Sequence, residues 1–161
     1  MHNPVVLSAA RACLDAGWIA LRFNFGGVGA SGGGFSGGPE EVRDVSRAAA
    51  ALRPELPPGS PLAIVGYSFG AWAGARAACD VGDVSRVIAV APPLGFFDWA
   101  FVGDLHVPLA VIVGDRDQYC PQDRVRALAA ATGADITTIP GADHFFAGRD
   151  DAVAAAIRQR L

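Results

Sequence analysis

A chain of 161 residues, 52% of them hydrophobic, is long enough to form a single domain, residues 1–161, around a sizeable core, and nothing in it suggests disorder. Its 13 basic and 16 acidic residues leave a net charge of −3 without any cluster of Lys or Arg, which argues against nucleic acid or an anionic membrane as a partner. No apolar run approaches the roughly eighteen residues of a membrane span, and the N-terminus lacks the basic region and apolar core of a signal peptide, so the expectation is a cytoplasmic protein.

Asn3 can cap a first helix with Pro4 in its first turn; Val6, Leu7, Ala10, Cys13 and Leu14 form its apolar stripe and Gly17 ends it. Residues 18–25 follow as a predicted strand whose run Trp-Ile-Ala-Leu is apolar without alternation, as in a parallel sheet covered on both faces. The loop 26–38 is dense in glycine. It resembles a phosphate loop only superficially: no Gly-Lys-Ser/Thr follows, the Gly27, Gly29, Gly32 spacing is cheap in such a loop, and the next helix starts too late to receive a phosphate. No nucleotide or other cofactor is therefore expected. Pro39, Glu40 and Glu41 open that helix, with Val42, Val45, Ala49 and Leu52 facing inward, and Pro54, Pro57, Pro58 and Pro61 form a stiff connection out of it.

The stretch Leu62-Ala63-Ile64-Val65-Gly66-Tyr67-Ser68-Phe69-Gly70-Ala71-Trp72-Ala73 comes next. An apolar run enters Gly-x-Ser-x-Gly and an alanine-rich segment without proline leaves it, which predicts a strand-to-helix turn with a strained, exposed serine. Gly66 and Gly70 are expected to leave room where a side chain would collide with the adjoining helix or strand. The Ser68 Oγ would then stand near a helix N-terminus, where backbone N–H groups and the helix dipole favour developing negative charge.

Further strands are predicted at 84–90, 108–113 and 136–139, each followed by a loop and a helix or helical turn. The segment 94–107 holds Phe96, Phe97, Trp99 and Phe101 and reads equally as core packing or as one wall of a substrate pocket. Two loops carry chemistry: Gly114-Asp115-Arg116-Asp117-Gln118-Tyr119-Cys120-Pro121 and Pro140-Gly141-Ala142-Asp143-His144-Phe145-Phe146. Strand and helix alternate throughout, so the fold class is α/β, a three-layer α/β/α arrangement with a mainly parallel sheet. Cys13, Cys79 and Cys120 lack C-x-x-C spacing, which argues against a disulfide framework or a metal site; Cys13 and Cys79 read as small core residues and Cys120 as a bystander.

Ser68 in G-Y-S-F-G, an acid in G-D-R-D-Q-Y-C-P and His144 in P-G-A-D-H-F-F resemble the α/β-hydrolase superfamily in its chain order Ser, Asp, His. The resemblance covers the whole chain and is nearest to the compact, lid-poor serine hydrolases related to dienelactone hydrolase. It implies that Asp117 is the acid, lying three residues after Gly114 and four before Pro121, with Asp115 a loop-capping carboxylate, Asp98 an alternative site for the acid and Asp143 structural. His144 would act as general base, whereas His2 and His106 read as surface or strand-entry residues. The implied activity is hydrolysis of a small carboxylic ester, thioester or amide through an acyl-enzyme, with the Phe69 backbone N–H as one oxyanion donor. A non-catalytic homologue and an acyltransferase using the same triad are the alternatives, and pocket loops of unknown shape leave the acyl substrate unnamed.

In the family, a further strand lies between those expected at residue 18 and residue 62, and the loop after it supplies the second oxyanion donor. The expectation is thus an N-terminally truncated hydrolase fold, in which those two strands close up, a partner fills the slot, or the isolated chain is unstable.

Overall fold

The structure, a computed structural model, describes residues 2–161. Helix α1 (Pro4–Asp15) is capped by the Asn3 side chain, which accepts the Val5 and Val6 N–H groups, and α2 (Pro39–Leu52) follows the glycine-rich loop. Strand β1 (Leu62–Tyr67) then leads into α3 (Phe69–Ala78), β2 (Val84–Val90), β3 (Leu109–Gly114), α4 (Gln122–Thr132), β4 (Asp135–Ile139) and α5 (Asp150–Arg158). All neighbouring strands pair parallel in the order β1-β2-β3-β4, with Gly66 opposite Ala89, Ile88 opposite Ala110 and Ile112 opposite Thr137.

Two of the three layers follow from the two-residue period of the strands, which sends successive side chains to opposite faces. Val87, Ala89, Val111 and Val113 pack with Ala71, Ala75, Val125 and Leu128 of α3 and α4 on one face. Ile88, Val90, Ala110 and Ile112 pack with Val5 and Ala12 of α1 and with Val153, Ala156 and Ile157 of α5 on the other. Every residue of β3 is buried, as a strand covered on both faces requires. Helix α2 completes the outer layer by setting Val45 against Ala73 and Ala77 of α3. In the segment 94–107, Trp99 and Val102 enter the core around a short 3-10 turn, whereas Phe96 is exposed. Cys13 and Cys79 are half-buried rather than core residues, and Cys120 is buried.

Residues 18–25 differ from the expectation. They form no ladder, and Ile19, Leu21 and Phe23 are exposed, so the apolar run is not covered on both sides. The segment and β1 do not close up. Between them lies a groove of about 740 Å³, lined by Trp18, Leu21, Phe23, Ile64 and Val65 and reaching Ser68 and Phe69. Among the described residues β1 forms a ladder with β2 alone, so its outer edge borders the groove.

That edge gives a direct test. The Ser68 N–H bonds to the Val90 carbonyl of β2, so strand alternation turns the Val65 and Tyr67 amides away from β2 toward the groove. In hydrogen–deuterium exchange, Val65 and Tyr67 should lose protection well before Ile64 and Gly66. Equal protection along the strand would show that residues 18–25 pair with β1 in solution.

Candidate active site

The Gly-x-Ser-x-Gly segment forms the expected turn. Ser68 follows the last residue of β1 and precedes the first of α3, with φ 52° and ψ −124°, a conformation that costs a residue with a Cβ about 1–3 kcal/mol. Crowding at Gly66 explains its identity: a Cβ there would lie 2.2 Å from the Gly70 carbonyl oxygen and 2.6 Å from Ala71. Gly70 is different from the expectation, since a Cβ at that position would meet nothing within 4 Å. The close helix-to-strand contact is made instead by Gly74, where a Cβ would stand 2.7 Å from the Ile64 Cγ2.

Two loops bring the remaining groups to Ser68. They leave β3 and β4 at the carboxyl end of the sheet and are knitted together by the Arg116 N–H on the Ala142 carbonyl and the Gly141 N–H on the Asp115 carboxylate. A Cβ on Gly114 would fall 2.2 Å from the Ala142 oxygen, so only glycine allows this approach. Asp115 thus ties loop to loop at the surface. Asp117 lies inside, 6% exposed, and its Oδ1 accepts the Tyr119 and Cys120 N–H groups at 2.8 and 3.1 Å.

His144 is 4% exposed and joins the two sides. Its Nδ1 lies 2.9 Å from Asp117 Oδ2, and its Nε2 lies 2.9 Å from Ser68 Oγ. An ionised carboxylate only accepts, so Nδ1 carries the proton and Nε2 presents a lone pair to the serine hydroxyl. Tyr119 meets the imidazole edge-on at 4.8 Å between centroids, and the Tyr67 hydroxyl donates to the His144 carbonyl oxygen. Burial, then the Asp117 and Asp143 charges, push the Tyr67 phenol above its ordinary pKa, which keeps it a donor. Phe69 begins α3, so its N–H belongs to the helix's first turn, whose donors lack intrahelical acceptors.

The other candidates stand apart from this chain. Asp98 is exposed and caps the turn at Ala100, Asp143 accepts the Phe145 N–H, and His2 and His106 lie on the surface. Burial and then the Asp117 charge push the Cys120 thiol up to about 12, which leaves it inert as a nucleophile. Among the described residues, no group of three or more His, Cys, Asp or Glu could hold a metal ion.

Glu41 was legible only as a first-turn acid of α2, yet it is 0% exposed and its carboxylate accepts the Ser36 N–H, the Ser36 hydroxyl and the Gly38 N–H. The available signal was a glutamate three residues after a helix N-cap. Burial alone would raise this carboxyl, but the hydrogen bonds from Ser36 and Gly38 outweigh it and hold the pKa below the ordinary 4.5. A carboxyl lowered on folding contributes stability that is complete above that ordinary value and is lost as pH falls through the folded-state one.

No protein-family model matches the chain. It is 32% identical over 171 residues to the uncharacterized protein RP471 of Rickettsia prowazekii, covering all of this chain and 72% of that one. Among solved structures, an α/β serine hydrolase homologue from Coxiella burnetii superposes with a TM-score of 0.91 at 31% identity, covering 100% of this chain and 77% of that one. A lid-less α/β serine hydrolase from Xanthomonas campestris gives 0.88 at 33% identity, covering 99% and 72%.

Two stability measurements test this local account. Gly66→Ala should lower Tm severely or prevent folding, while Gly70→Ala should leave Tm unchanged or raise it, because alanine favours a helix by roughly 1 kcal/mol over glycine. Comparable losses in both would refute the steric assignment. The Tm gap between wild type and Glu41→Gln should be widest near neutrality and narrow as the pH is lowered below about 4.5. A gap that stays constant from pH 7 to 3 would show that the carboxylate charge is not what stabilises.

Proposed function

This chain belongs to the α/β-hydrolase superfamily, and we propose that it is a serine hydrolase that cleaves a small carboxylic ester, thioester or amide through an acyl-enzyme. The observation that carries the reading is the unbroken hydrogen-bonded chain from Ser68 Oγ through His144 to Asp117. Serine is a poor nucleophile at neutral pH and needs a base within hydrogen-bond reach, which the 2.9 Å contact to His144 Nε2 provides.

In the proposed reaction Ser68 Oγ adds to the acyl carbon while its proton passes to His144 Nε2. The imidazolium that results is held in orientation and stabilised by the Asp117 carboxylate. Negative charge develops on the former carbonyl oxygen, and the Phe69 N–H, at the start of α3, would be the donor that meets it. Collapse of the tetrahedral species breaks the bond to the leaving group, which takes the proton from His144. Water, deprotonated by the same imidazole, then releases the acid and restores the serine.

The test is chemical. A fluorophosphonate should label wild type at Ser68 only, and Ser68→Ala should abolish labelling and lower kcat by about 10⁶-fold if the three groups act as a unit. Asp117→Asn should cost roughly 10⁴-fold, whereas Asp115→Asn should act through stability. Ester hydrolysis unchanged in Ser68→Ala would refute the proposal.

A further inference from the structure

The glycine-rich loop between residue 25 and α2 is held at both ends by carboxylates of that one helix. Asp44 Oδ2 accepts the Gly26 N–H at 2.9 Å where the loop begins. Glu41 closes the other end: Oε1 accepts the Ser36 N–H at 2.7 Å, and Oε2 accepts the Ser36 hydroxyl at 2.6 Å and the Gly38 N–H at 2.8 Å. Between these ends the loop folds onto itself. Its Gly27 N–H bonds to the Gly32 carbonyl, and a Cβ on Gly27 would lie 2.9 Å from the Gly34 Cα.

A helix cap alone does not need this arrangement. Capping requires one acceptor for first-turn or N-cap amides, and a surface Ser or Asp supplies it. Here a carboxylate is taken wholly out of water, a costly step that only several donors offset, and two of its three hydrogen bonds go to Ser36, outside the helix. The residue before Ser36 is Phe35. Its ring stands edge-on to Phe69 at 5.5 Å between centroids, and Phe69 is the residue after Ser68. Phe69 also meets Phe25, Trp72 and Phe97, and Gly38 lies against Trp72 so closely that a Cβ would be 2.8 Å from its ring. Phe35 itself is 68% exposed, a large apolar ring facing solvent against the residue that follows the candidate nucleophile.

We propose that Glu41 is a positioning residue that fixes the acyl specificity of the site: by holding the loop at Ser36 and Gly38 it sets Phe35 against Phe69, and these rings form a wall that takes an uncharged, apolar acyl group. The proposal rests on the serine-hydrolase reading for its chemistry but makes a separate demand, namely that selectivity for chain length depends on a carboxylate that touches neither substrate nor triad. Gln has the shape of Glu yet only one acceptor oxygen, and its amide would oppose the N–H and O–H donors of Ser36 and Gly38.

The experiment compares kcat and KM for 4-nitrophenyl acetate and hexanoate. In Glu41→Gln the hexanoate-to-acetate ratio of kcat/KM should fall about tenfold, chiefly through KM, as the four extra methylenes lose part of their apolar contact. Phe35→Ala should give the same change, and the double variant no further loss. Exchange of the Ser36 and Gly38 amides should quicken in Glu41→Gln. A lowered Tm with unchanged chain-length selectivity, or additive effects in the double variant, would overturn the proposal and leave Glu41 a structural cap. Should Glu41→Gln fail to fold, Ser36→Ala removes one bond of the clasp and should shift the ratio in the same direction by a smaller factor; no shift would be equally fatal. Absence of fluorophosphonate labelling in wild type would refute the hydrolase reading instead. The wall is then read from binding of 4-nitrophenyl hexanoate to Ser68→Ala, followed by tryptophan quenching: weaker binding in Glu41→Gln/Ser68→Ala supports it and equal binding overturns it.

Discussion

The site depends on the backbone of Ser68 being held where a residue with a Cβ does not settle by itself, at φ 52°. It is gripped from both sides. Its N–H completes the ladder with β2 on the Val90 carbonyl, and its own carbonyl accepts the first-turn N–H groups of Ala71 and Trp72. Strand and helix must therefore meet almost at right contact distance, which is why Gly66 and Gly74 carry no Cβ while Gly70 is free to. The strain of about 1–3 kcal/mol is offset by burial of alanines 71, 73, 75, 77 and 78 along α3. Its result is a hydroxyl raised beyond the end of the sheet on a backbone that has little room to relax.

Everything else in the site is placed relative to that point by the parallel sheet. Parallel strands put all their carboxyl ends on one edge, so the loops after β1, β3 and β4 converge although their residues are far apart in sequence. The loops after β3 and β4 also bind each other. Gly114 against Ala142, Arg116 on the Ala142 carbonyl and Asp115 on Gly141 make one unit of them, so Asp117 and His144 arrive in fixed relation. This division of labour separates Asp115 from Asp117, two acids two positions apart with opposite burial.

Much of this was legible because the signals were local. The Gly-x-Ser-x-Gly turn, the run of apolar strands and the order of Ser68, Asp117 and His144 are sequence patterns, and the geometry brings those three residues together. What could not be read was relational. Gly70 resembles Gly66 in the motif, but only the packing of α3 on β1 tells which one is crowded. Residues 18–25 have the composition of a covered strand, yet a strand exists only through its neighbours, and among the described residues no strand forms a ladder with this segment. Glu41 was hidden for the same reason, since a glutamate in a first turn is ordinarily solvated and its burial follows from the path of the preceding loop.

The two buried carboxylates, Asp117 and Glu41, show how the same group serves different ends through its partners. Glu41 is met by N–H and O–H dipoles of Ser36 and Gly38, none of which can gain or lose a proton in the working range. Its charge is thereby stabilised, and its pKa stays below the ordinary value. Asp117 is met by two backbone N–H groups and by an imidazole. The backbone donors and Nδ1 together hold its position, and in the proposed reaction the imidazole acquires a proton from Ser68, so that the carboxylate then faces a cation instead of a neutral ring. The attraction between Asp117 and His144 is therefore smallest at rest and greatest when the proton has moved. A carboxylate with only dipole partners would stabilise both states alike and contribute nothing to the difference between them, which is what catalysis by such a chain requires.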